Sequence, residues 1–286
     1  MSGDVTRLIT EVCEAGGSFP QKVNRLYERL MPWDVDTITA RLRAAGVIPE
    51  MYAHDSSEEK VYAKYCDIVV SEAFRAMGFQ SAVSNVRSNA ADLCIDGPGY
   101  SSICDVKSFR LSRTALNPKD YKIEAVDRWR RNQEADYAFL VAPHTQFPGG
   151  NSRLYDEAIR YNVTLLSFAH VDFLVRTARS AGQRPYLRLI WQVGETIPDP
   201  AGVRGPSYWK AVDAAVVRAS GGSESALEEA KHSYEEEFQN QARLQVKYWE
   251  DRLQEIRNMP REQLIDSLVR AEGIESKIQT IRQYLR

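Results

Sequence analysis

The sequence has little in common with membrane or disulfide-rich proteins. No apolar run among its 286 residues approaches the roughly 18 residues that a membrane-spanning helix needs. Its N-terminus carries no charged-plus-apolar leader. No two of its four cysteines form a CxxC pair, and each is expected to be a small buried hydrophobe. We therefore expect a cytoplasmic protein without a disulfide framework or a zinc knuckle.

The motifs of several enzyme classes are also missing. The four histidines show neither HExxH nor any i, i+4 spacing, which argues against a zinc hydrolase. The glycine-rich segments match neither GxxxxGK[ST] nor GxGxxG, so the sequence indicates no nucleotide cofactor. No GxSxG motif is present either, which removes the usual signature of a serine hydrolase.

The composition is that of an ordinary globular protein, with 43 % apolar and 27 % charged residues. At about 150 residues per domain, the length allows one large domain or a core with an appended lobe. The net charge is −2, whereas DNA-binding proteins are usually basic. Residues 101–131 nevertheless hold eight basic against four acidic residues, a local charge of +4. This basic strip would either contact the phosphates of DNA or be only a solvated helix face.

The first part of the chain has the apolar spacing of helices. That spacing predicts helices over 4–48, with Asp36 as the N-cap of one of them and Gly46 after its end. A stronger helix is predicted after Ser56, because Ser56 is a favourable N-cap and Glu59 follows three residues later. Together they would form a capping box.

The middle of the chain alternates between strand and helix patterns. Two short apolar segments, 92–95 and 103–106, flank Gly97-Pro98-Gly99 and predict a β-hairpin. The elements predicted after it are a helix over 117–133, a buried strand over 137–141, a helix over 153–161 and a buried strand over 163–168. This alternation implies an α/β protein with a mixed central sheet, flanked by helices.

The last hundred residues are predicted to be irregular at first and then helical. Glycines and prolines mark 181–206 as a connection with one strand over 186–193, and Gly221-Gly222 is a further break. Helices are predicted over 223–258, from Pro260, and over 273–285. The expected regions are a helical N-terminal region (1–50), a central core (51–180) and the connection with a helical C-terminal region (181–286), forming one compact unit.

One set of residues carries recognisable chemistry: Asp92, twelve residues, then Asp105-Val106-Lys107. Hydrolysis of a phosphodiester needs positive charge at the phosphate and an activated water, and a divalent cation supplies both. Magnesium prefers oxygen ligands, so carboxylates from neighbouring strands would hold it. Asp105 and Lys107 point the same way, because alternate side chains of a strand share a face. A two-residue turn at Pro98-Gly99 would place Asp92 directly opposite Asp105.

The spacing alone is not specific. Acid-x-Lys also occurs within four predicted helical segments: Glu58-Glu59-Lys60, Asp120-Tyr121-Lys122, Glu229-Ala230-Lys231 and Glu275-Ser276-Lys277. Residues i and i+2 of a helix do not share a face, so only 105–107 is suited to present an acid beside a lysine. Two surface carboxylates near a hairpin remain the alternative.

The segment that begins at this motif resembles the active-site segment of the HindIII-type restriction endonucleases. That family carries nearly the same run as 105–115, followed by Asn117, Lys119-Asp120 and Lys122 at the same intervals. Weaker similarities occur at Ile48-Pro49-Glu50, Leu165-Leu166-Ser167 and Tyr248-Trp249, so the resemblance covers most of the chain. It implies the PD-(D/E)xK nuclease fold with helical N- and C-terminal extensions. It also implies a magnesium-dependent type II endonuclease of a restriction–modification system.

The resemblance implies roles for individual residues. Asp92 resembles the first metal-binding acid, Asp105 the second, and Lys107 the catalytic lysine. The backbone carbonyl of Val106 would complete the ligands of Mg²⁺, for which Mn²⁺ would substitute. Ala91 stands where the family would have glycine, which affects the expected turn and not the carboxylate.

Further candidates surround the motif. Asp120 resembles an additional catalytic and metal-binding carboxylate, and Glu59 would bind metal directly or through water, although helix capping explains Glu59 equally well. Asn117 and Lys122 are suited to base edges, since Asn pairs with adenine and Lys donates to guanine. The candidates for phosphate contacts are Arg110, Arg113 and Lys119. For all five DNA-binding candidates, a capping or solvated role is the alternative.

The resemblance further implies a palindromic site, AAGCTT, cut to leave 5′ overhangs. A palindrome read by identical subunits calls for a two-fold homodimer in which each subunit cuts one strand. The N-terminal helices and the long C-terminal helices are the available dimer surfaces. Two other functions stay open: a repair or junction-resolving nuclease on the same core, and a DNA-binding protein without catalysis. The joint presence of Asp92, Asp105 and Lys107 argues against the second.

Overall fold

The computed structural model describes residues 2–84, 90–113, 117–197, 204–272 and 274–282. The chain divides into two units, Met1–Ala242 and Arg243–Arg286. The larger unit contains a β-sheet with helices around it, and the smaller unit is helical. Among the described helices, none is both long and apolar enough to cross a bilayer.

Four helices open the chain: α1 (Ser2–Glu14), α2 (Phe19–Arg29), α3 (Val35–Ala44) and α4 (Ser57–Ala76). They confirm the helical prediction for 4–48, but the predicted cap of α3 was wrong. Asp34, not Asp36, is the N-cap, with its carboxylate accepting a hydrogen bond from the Thr37 amide at 2.8 Å. Asp36 already lies within the first helical turn, and a cap has to precede that turn.

Helix α4 begins at the predicted cap and presents a long buried face. Ser56 Oγ accepts a hydrogen bond from the Glu59 amide at 3.2 Å. The predicted capping box is not closed, because the Glu59 carboxylate accepts its bond from the Asp55 amide, at 2.6 Å, instead of the Ser56 amide. Along the buried face, Phe74 reaches the sheet and its ring lies 5.4 Å from that of Phe139.

The strands of the described residues form one sheet in the order β1 (Gln80–Val83), β2 (Leu93–Gly97), β3 (Tyr100–Val106), β4 (Tyr137–Ala142) and β5 (Val163–Ser167). The first three strands are antiparallel, and β3, β4 and β5 are parallel. This arrangement confirms the predicted mixed sheet of an α/β protein. The strand β1 was not predicted, because its four residues are too short for a clear alternation.

The β2–β3 hairpin has the predicted register. Gly97 pairs with Tyr100, so Pro98-Gly99 forms a two-residue turn, and Leu93 pairs with Cys104. Gly99 adopts a φ of +70°, which a residue with a side chain rarely does. The paired register ends at Leu93 and Cys104; Asp92 directly precedes Leu93 and Asp105 directly follows Cys104, so both acids lie at the same end of the hairpin.

The helix predicted over 117–133 is interrupted. A 3₁₀ turn covers Pro118–Tyr121, Lys122 is left-handed with a φ of +50°, and α5 covers Ile123–Asn132. Tyr121 and Ile123 are both buried. One continuous helix would turn residues two apart to different faces, so the break at Lys122 lets both side chains enter the core.

The strand predicted over 186–193 is absent from the described residues. Its place is taken by the short helix α8 (Arg188–Trp191) and a 3₁₀ turn over Val193–Thr196. Leu187, Ile190 and Trp191 are all buried, and their spacing of three and four residues is helical.

Beyond β4, the helices close the larger unit. The helix α6 covers Arg153–Arg160, α7 covers Phe168–Ala181 and α9 covers Gly205–Ser220. Phe168 therefore starts α7, and the predicted strand over 163–168 is one residue shorter because Ser167 caps that helix. The helix α9 was not predicted. Its C-cap is Gly221, which confirms the predicted break at Gly221-Gly222.

The C-terminal helices match the prediction closely. They are α10 (Glu224–Asn258), α11 (Arg261–Glu272) and α12 (Ile274–Arg282), and the remaining predicted helical positions, 273 and 283–285, lie outside the described residues. One expectation about the cysteines was wrong: Cys94 is exposed, because it lies on the outer face of β2 and its thiol contacts Gln133 at 3.3 Å.

Candidate active site

The hairpin brings the first two predicted acids together. The Asp92 amide donates to the Cys104 carbonyl at 2.9 Å, which places Asp92 at the end of the β2–β3 ladder. Its carboxylate accepts a hydrogen bond from the Val106 amide, also at 2.9 Å. Asp92 is thus fixed against the strand that carries Asp105, one residue before Val106.

Asp105 and Lys107 form a buried ion pair. The Lys107 ammonium lies 2.5 Å from the Asp105 carboxylate, and their side chains are 17 % and 5 % exposed. Lys107 follows the last residue of β3, but its amide still donates to the Val141 carbonyl at 2.8 Å and so continues the ladder with β4. The alternation of side chains therefore extends to Lys107, as predicted from the strand pattern.

Helix α4 adds a second acid–lysine pair that the sequence analysis missed. Lys64 Nζ lies 2.6 Å from the Asp67 carboxylate, and their side chains are 15 % and 5 % exposed. Asp67 is close enough to Asp92 and Asp105 for their charges to affect its ionisation. The available signal was a lone acid inside the apolar run from Tyr65 to Val70, since an acid on a buried helix face calls for a partner.

Burial and mutual repulsion disfavour charge on these carboxylates. Burial raises the pKa of Asp105 from 3.8 to about 6; Lys107 opposes this shift, and Asp92 adds to it. Burial, with further repulsion from Asp92, holds the pKa of Asp67 well above its ordinary value. Burial would lower the pKa of Lys107, but attraction to Asp105 outweighs it and the pKa is raised. The site is therefore a buried cluster with more acids than lysines.

Such a donor set fits a hard divalent cation. Carboxylate oxygens are the ligands that Mg²⁺ prefers, and a cation between them would relieve the repulsion described above. Asp92 and Asp105 approach from adjacent strands, and the Val106 backbone lies between them. These residues therefore supply the oxygen ligands that the magnesium ion implied by the resemblance would need.

A cleft of about 580 Å³ leads to this cluster. Its lining includes Phe19 of α2, Lys64 and Asp67 of α4, and Asp92 and Val106 of the hairpin. Asp67, Asp92 and Val106 are therefore accessible to a ligand in this cleft, whereas Asp105 lies buried behind them.

The structure places Glu59 in a different network. Its carboxylate lies 3.0 Å from the Arg110 guanidinium, and Arg110 also donates to the Tyr52 carbonyl at 2.8 Å. The carboxylate and ring atoms of His54, Asp55 and Glu59 lie within 4.8 Å of one another. Arg110, with a side chain only 16 % exposed, is bonded within the protein in this conformation.

Arg113 and Asp120 also pair with each other. Arg113 Nη1 lies 3.2 Å from the Asp120 carboxylate, and its guanidinium stacks 3.7 Å from the centre of the Phe109 ring. Asn117 caps the following 3₁₀ turn, accepting a bond from the Lys119 amide at 3.0 Å. Within this group of DNA-binding candidates, the exposed cations are Lys119 and Lys122.

Much of the segment after Lys107 is held by backbone contacts. Phe109 exchanges hydrogen bonds with Gly46 and Ile48, at 2.9 and 3.0 Å. The buried Glu50 accepts bonds from the Ser112 amide and hydroxyl, at 3.0 and 2.8 Å. Residues 114–116, at the end of the run that resembles the family, lie outside the described residues. The described part of this run therefore supplies Asp105 and Lys107, and its hydrogen bonds to residues 46–50 hold the segment after Lys107 in place.

Comparison with known proteins extends this picture to nearly the whole chain. A family model described as HindIII restriction endonuclease matches residues 3–284. The chain is 26 % identical over 272 residues to the type II restriction enzyme HindIII of Haemophilus influenzae, covering 94 % of this chain and 90 % of that protein. The similarity thus spans both units and is not confined to the hairpin.

Proposed function

The chain belongs to the HindIII restriction endonuclease family, and we propose that it is a type II site-specific deoxyribonuclease that hydrolyses double-stranded DNA with Mg²⁺. The observation that carries the proposal is the cluster of Asp92, Asp105 and Lys107 at the end of the β2–β3 hairpin, where Asp92 and Val106 line a cleft. We keep the cytoplasmic location as a prediction from the sequence.

Asp92, Asp105 and the carbonyl of Val106 would hold the magnesium ion. Bound there, the ion would supply positive charge and a more acidic water. The Val106 amide orients the Asp92 carboxylate through its 2.9 Å hydrogen bond. Asp105 holds the Lys107 ammonium beside this metal site, where it would donate a hydrogen bond to the scissile phosphate or to the attacking water. Attack by water on phosphorus breaks one P–O bond, and the leaving oxygen takes up a proton.

Asp120 and Glu59 are proposed as further carboxylates of the site. Each pairs with an arginine in the described conformation, Asp120 with Arg113 and Glu59 with Arg110. DNA phosphates would attract those arginines, which would free the two carboxylates. Released from Arg110, Glu59 would bind the metal ion directly or through water.

The proposed DNA contacts follow the same segment. Lys119 and Lys122 are exposed directly after the site, and Asn117 lies between them and the arginines in sequence. We propose Asn117 and Lys122 for base edges and Lys119 for phosphates. The proposed recognition site is the palindrome AAGCTT, cut to leave 5′ overhangs, because the motif segment so closely matches that of the family.

A homodimer is the assembly proposed for a palindromic site. The smaller unit supports this, because many of its large apolar side chains are between 39 % and 61 % exposed: Leu244, Val246, Trp249, Leu253, Ile256, Leu264, Ile265, Leu268, Ile274 and Ile278. Exposed apolar side chains at this density are typical of an interface. We propose that a second copy of the chain covers them.

Digestion of a DNA of known sequence tests the function. With Mg²⁺ we expect discrete fragments whose sequenced ends share one palindrome, and with Ca²⁺ we expect binding without cleavage. The Asp105→Asn and Lys107→Ala variants are expected to bind DNA and not to cut it. A smear of fragments would instead identify a nuclease without sequence specificity, and cleavage by both variants would refute the site.

A further inference from the structure

The segment proposed to contact base edges, here called the recognition turn (residues 117–122), has a strained backbone at its end. Lys122 adopts a φ of +50°, in the left-handed region that a residue with a side chain rarely occupies. A continuous helix from Pro118 to Asn132 would remove this strain. Such strain persists only where the surrounding structure holds it, and it is common at functional sites. Contacts from outside the recognition turn must therefore keep Lys122 in this conformation.

Tyr121, the residue before Lys122, makes contacts of this kind. Its side chain is fully buried, and its hydroxyl donates a hydrogen bond to the carbonyl of Gln146, in the connection between β4 and α6. The Phe147 ring of the same connection is stacked on the Tyr121 ring, with centres 5.1 Å apart and an angle of 15° between the planes. The Phe109 ring, in the active-site segment, lies 5.6 Å from it. Tyr121 thus attaches the recognition turn to two distant segments of the chain.

The β4–α6 connection is itself held at both ends. It continues directly from β4, where the Val141 carbonyl accepts a hydrogen bond from the Lys107 amide at 2.8 Å. Further along, the Pro148 carbonyl accepts a hydrogen bond from the Tyr155 hydroxyl of α6 at 2.6 Å. The connection therefore gives Tyr121 a fixed anchor, and that anchor belongs to the strand that pairs with the end of β3. The recognition turn is in this way placed relative to the catalytic residues.

We propose that Tyr121 is a positioning residue for sequence recognition, acting through the recognition turn. This inference rests on the proposed function. The contacts of Tyr121 with the β4–α6 connection keep Asn117 and Lys122 in the geometry that presents both side chains to base edges. Without these contacts the backbone at Lys122 would relax toward a continuous helix, and the two side chains would leave that geometry. Cleavage would then depend less on the base sequence, although Tyr121 is buried and does not itself read a base.

The Tyr121→Phe variant tests this, because it removes the hydroxyl and keeps the ring. The measurement is the ratio of kcat/KM on the site that the wild-type chain cuts to kcat/KM on sites that differ by one base pair. We expect this ratio to fall roughly 5- to 150-fold, which is the discrimination that one bidentate base contact provides. Phe147→Leu, which removes the stacked ring, is expected to lower the ratio as well. A loss of folded protein would lower both rates equally, so the ratio separates positioning from stability.

Tyr155→Phe is the matched control. It removes the same group and a hydrogen bond to the same connection, but its hydroxyl belongs to α6 instead of the recognition turn, so the wild-type ratio is expected. A wild-type ratio in Tyr121→Phe or in Phe147→Leu, or an equal fall in Tyr155→Phe, would overturn the inference. A wild-type chain that cuts DNA at no defined site would instead refute the proposed function, so the two failures are distinguishable.

Discussion

Replacing Asp105 with Asn is expected to make the metal-free protein more stable while it abolishes cleavage. The folded protein holds three carboxylates against two lysines in one buried cluster, and Asn leaves two against two. A shift of the Asp105 pKa from 3.8 to about 6 corresponds to roughly 3 kcal/mol of destabilisation by the ionised group at pH 7. Lys107 loses its nearest partner in the variant, so we expect a net gain of about 1–3 kcal/mol.

The direction of the Asp105 pKa shift determines how the stability gain of Asp105→Asn changes with pH. Because the folded-state pKa of Asp105 is raised, the folded protein binds the proton first as the pH falls. The destabilisation by Asp105 is complete above about pH 6. It decreases between pH 6 and 4 and is absent below the ordinary pKa of about 3.9. The advantage of Asp105→Asn should therefore disappear at the acidic end of that window.

Thermal unfolding followed by circular dichroism in a chelator, from pH 4.5 to 8, measures this effect. A gain of about 1 kcal/mol corresponds to a rise in Tm of roughly 2–4 °C for a chain of this size class. Lys107→Met is the opposing control, since it leaves three carboxylates with Lys64 alone and should cost about 3–5 kcal/mol. An Asp105→Asn variant that is less stable than the wild type at pH 7.5 would refute the reasoning. So would a variant whose gain in stability over the wild type is the same at all pH values.

Three further predictions concern other parts of the molecule. Lys119→Ala should leave Tm unchanged, because the Lys119 side chain is exposed, and should reduce the salt slope of DNA binding by about 0.9; an unchanged slope would exclude a phosphate contact. Burial lowers the pKa of His170 below its ordinary 6.5, so the contribution of His170 to stability should fall as the pH drops below about 6.5. His170→Asn should lose that dependence in urea titrations, and its retention would assign the effect elsewhere. Leu268→Glu should yield monomers in light scattering, whereas an unchanged mass would remove α11 from the dimer interface.

Asp92, Asp105 and Lys107 were predictable as a group because their placement is local. Strand alternation sets Asp105 and Lys107 on one face, and the turn at Pro98-Gly99 fixes the register of Asp92. These rules act over fewer than twenty residues, so they need no knowledge of the rest of the fold.

Other features depended on contacts between distant segments. The break at Lys122 arises because the core takes up both Tyr121 and Ile123. Residues 186–193 are helical where they are regular, because α8 packs Trp191 against Phe139, with ring centres 4.4 Å apart. Neither preference is visible in the local pattern of strand-forming residues.

The sequence by itself determined the hairpin, its register and the acid–lysine pair at the end of β3, because backbone geometry between near neighbours dictates them. Only the tertiary structure decided which other charges join that pair. Packing of α4 on the sheet brings Lys64 and Asp67 to the cluster, while Glu59, on the same helix, pairs with Arg110 instead. Helical periodicity shows that a side chain lies on a buried face, but the contact across that face depends on how the helix packs against the sheet.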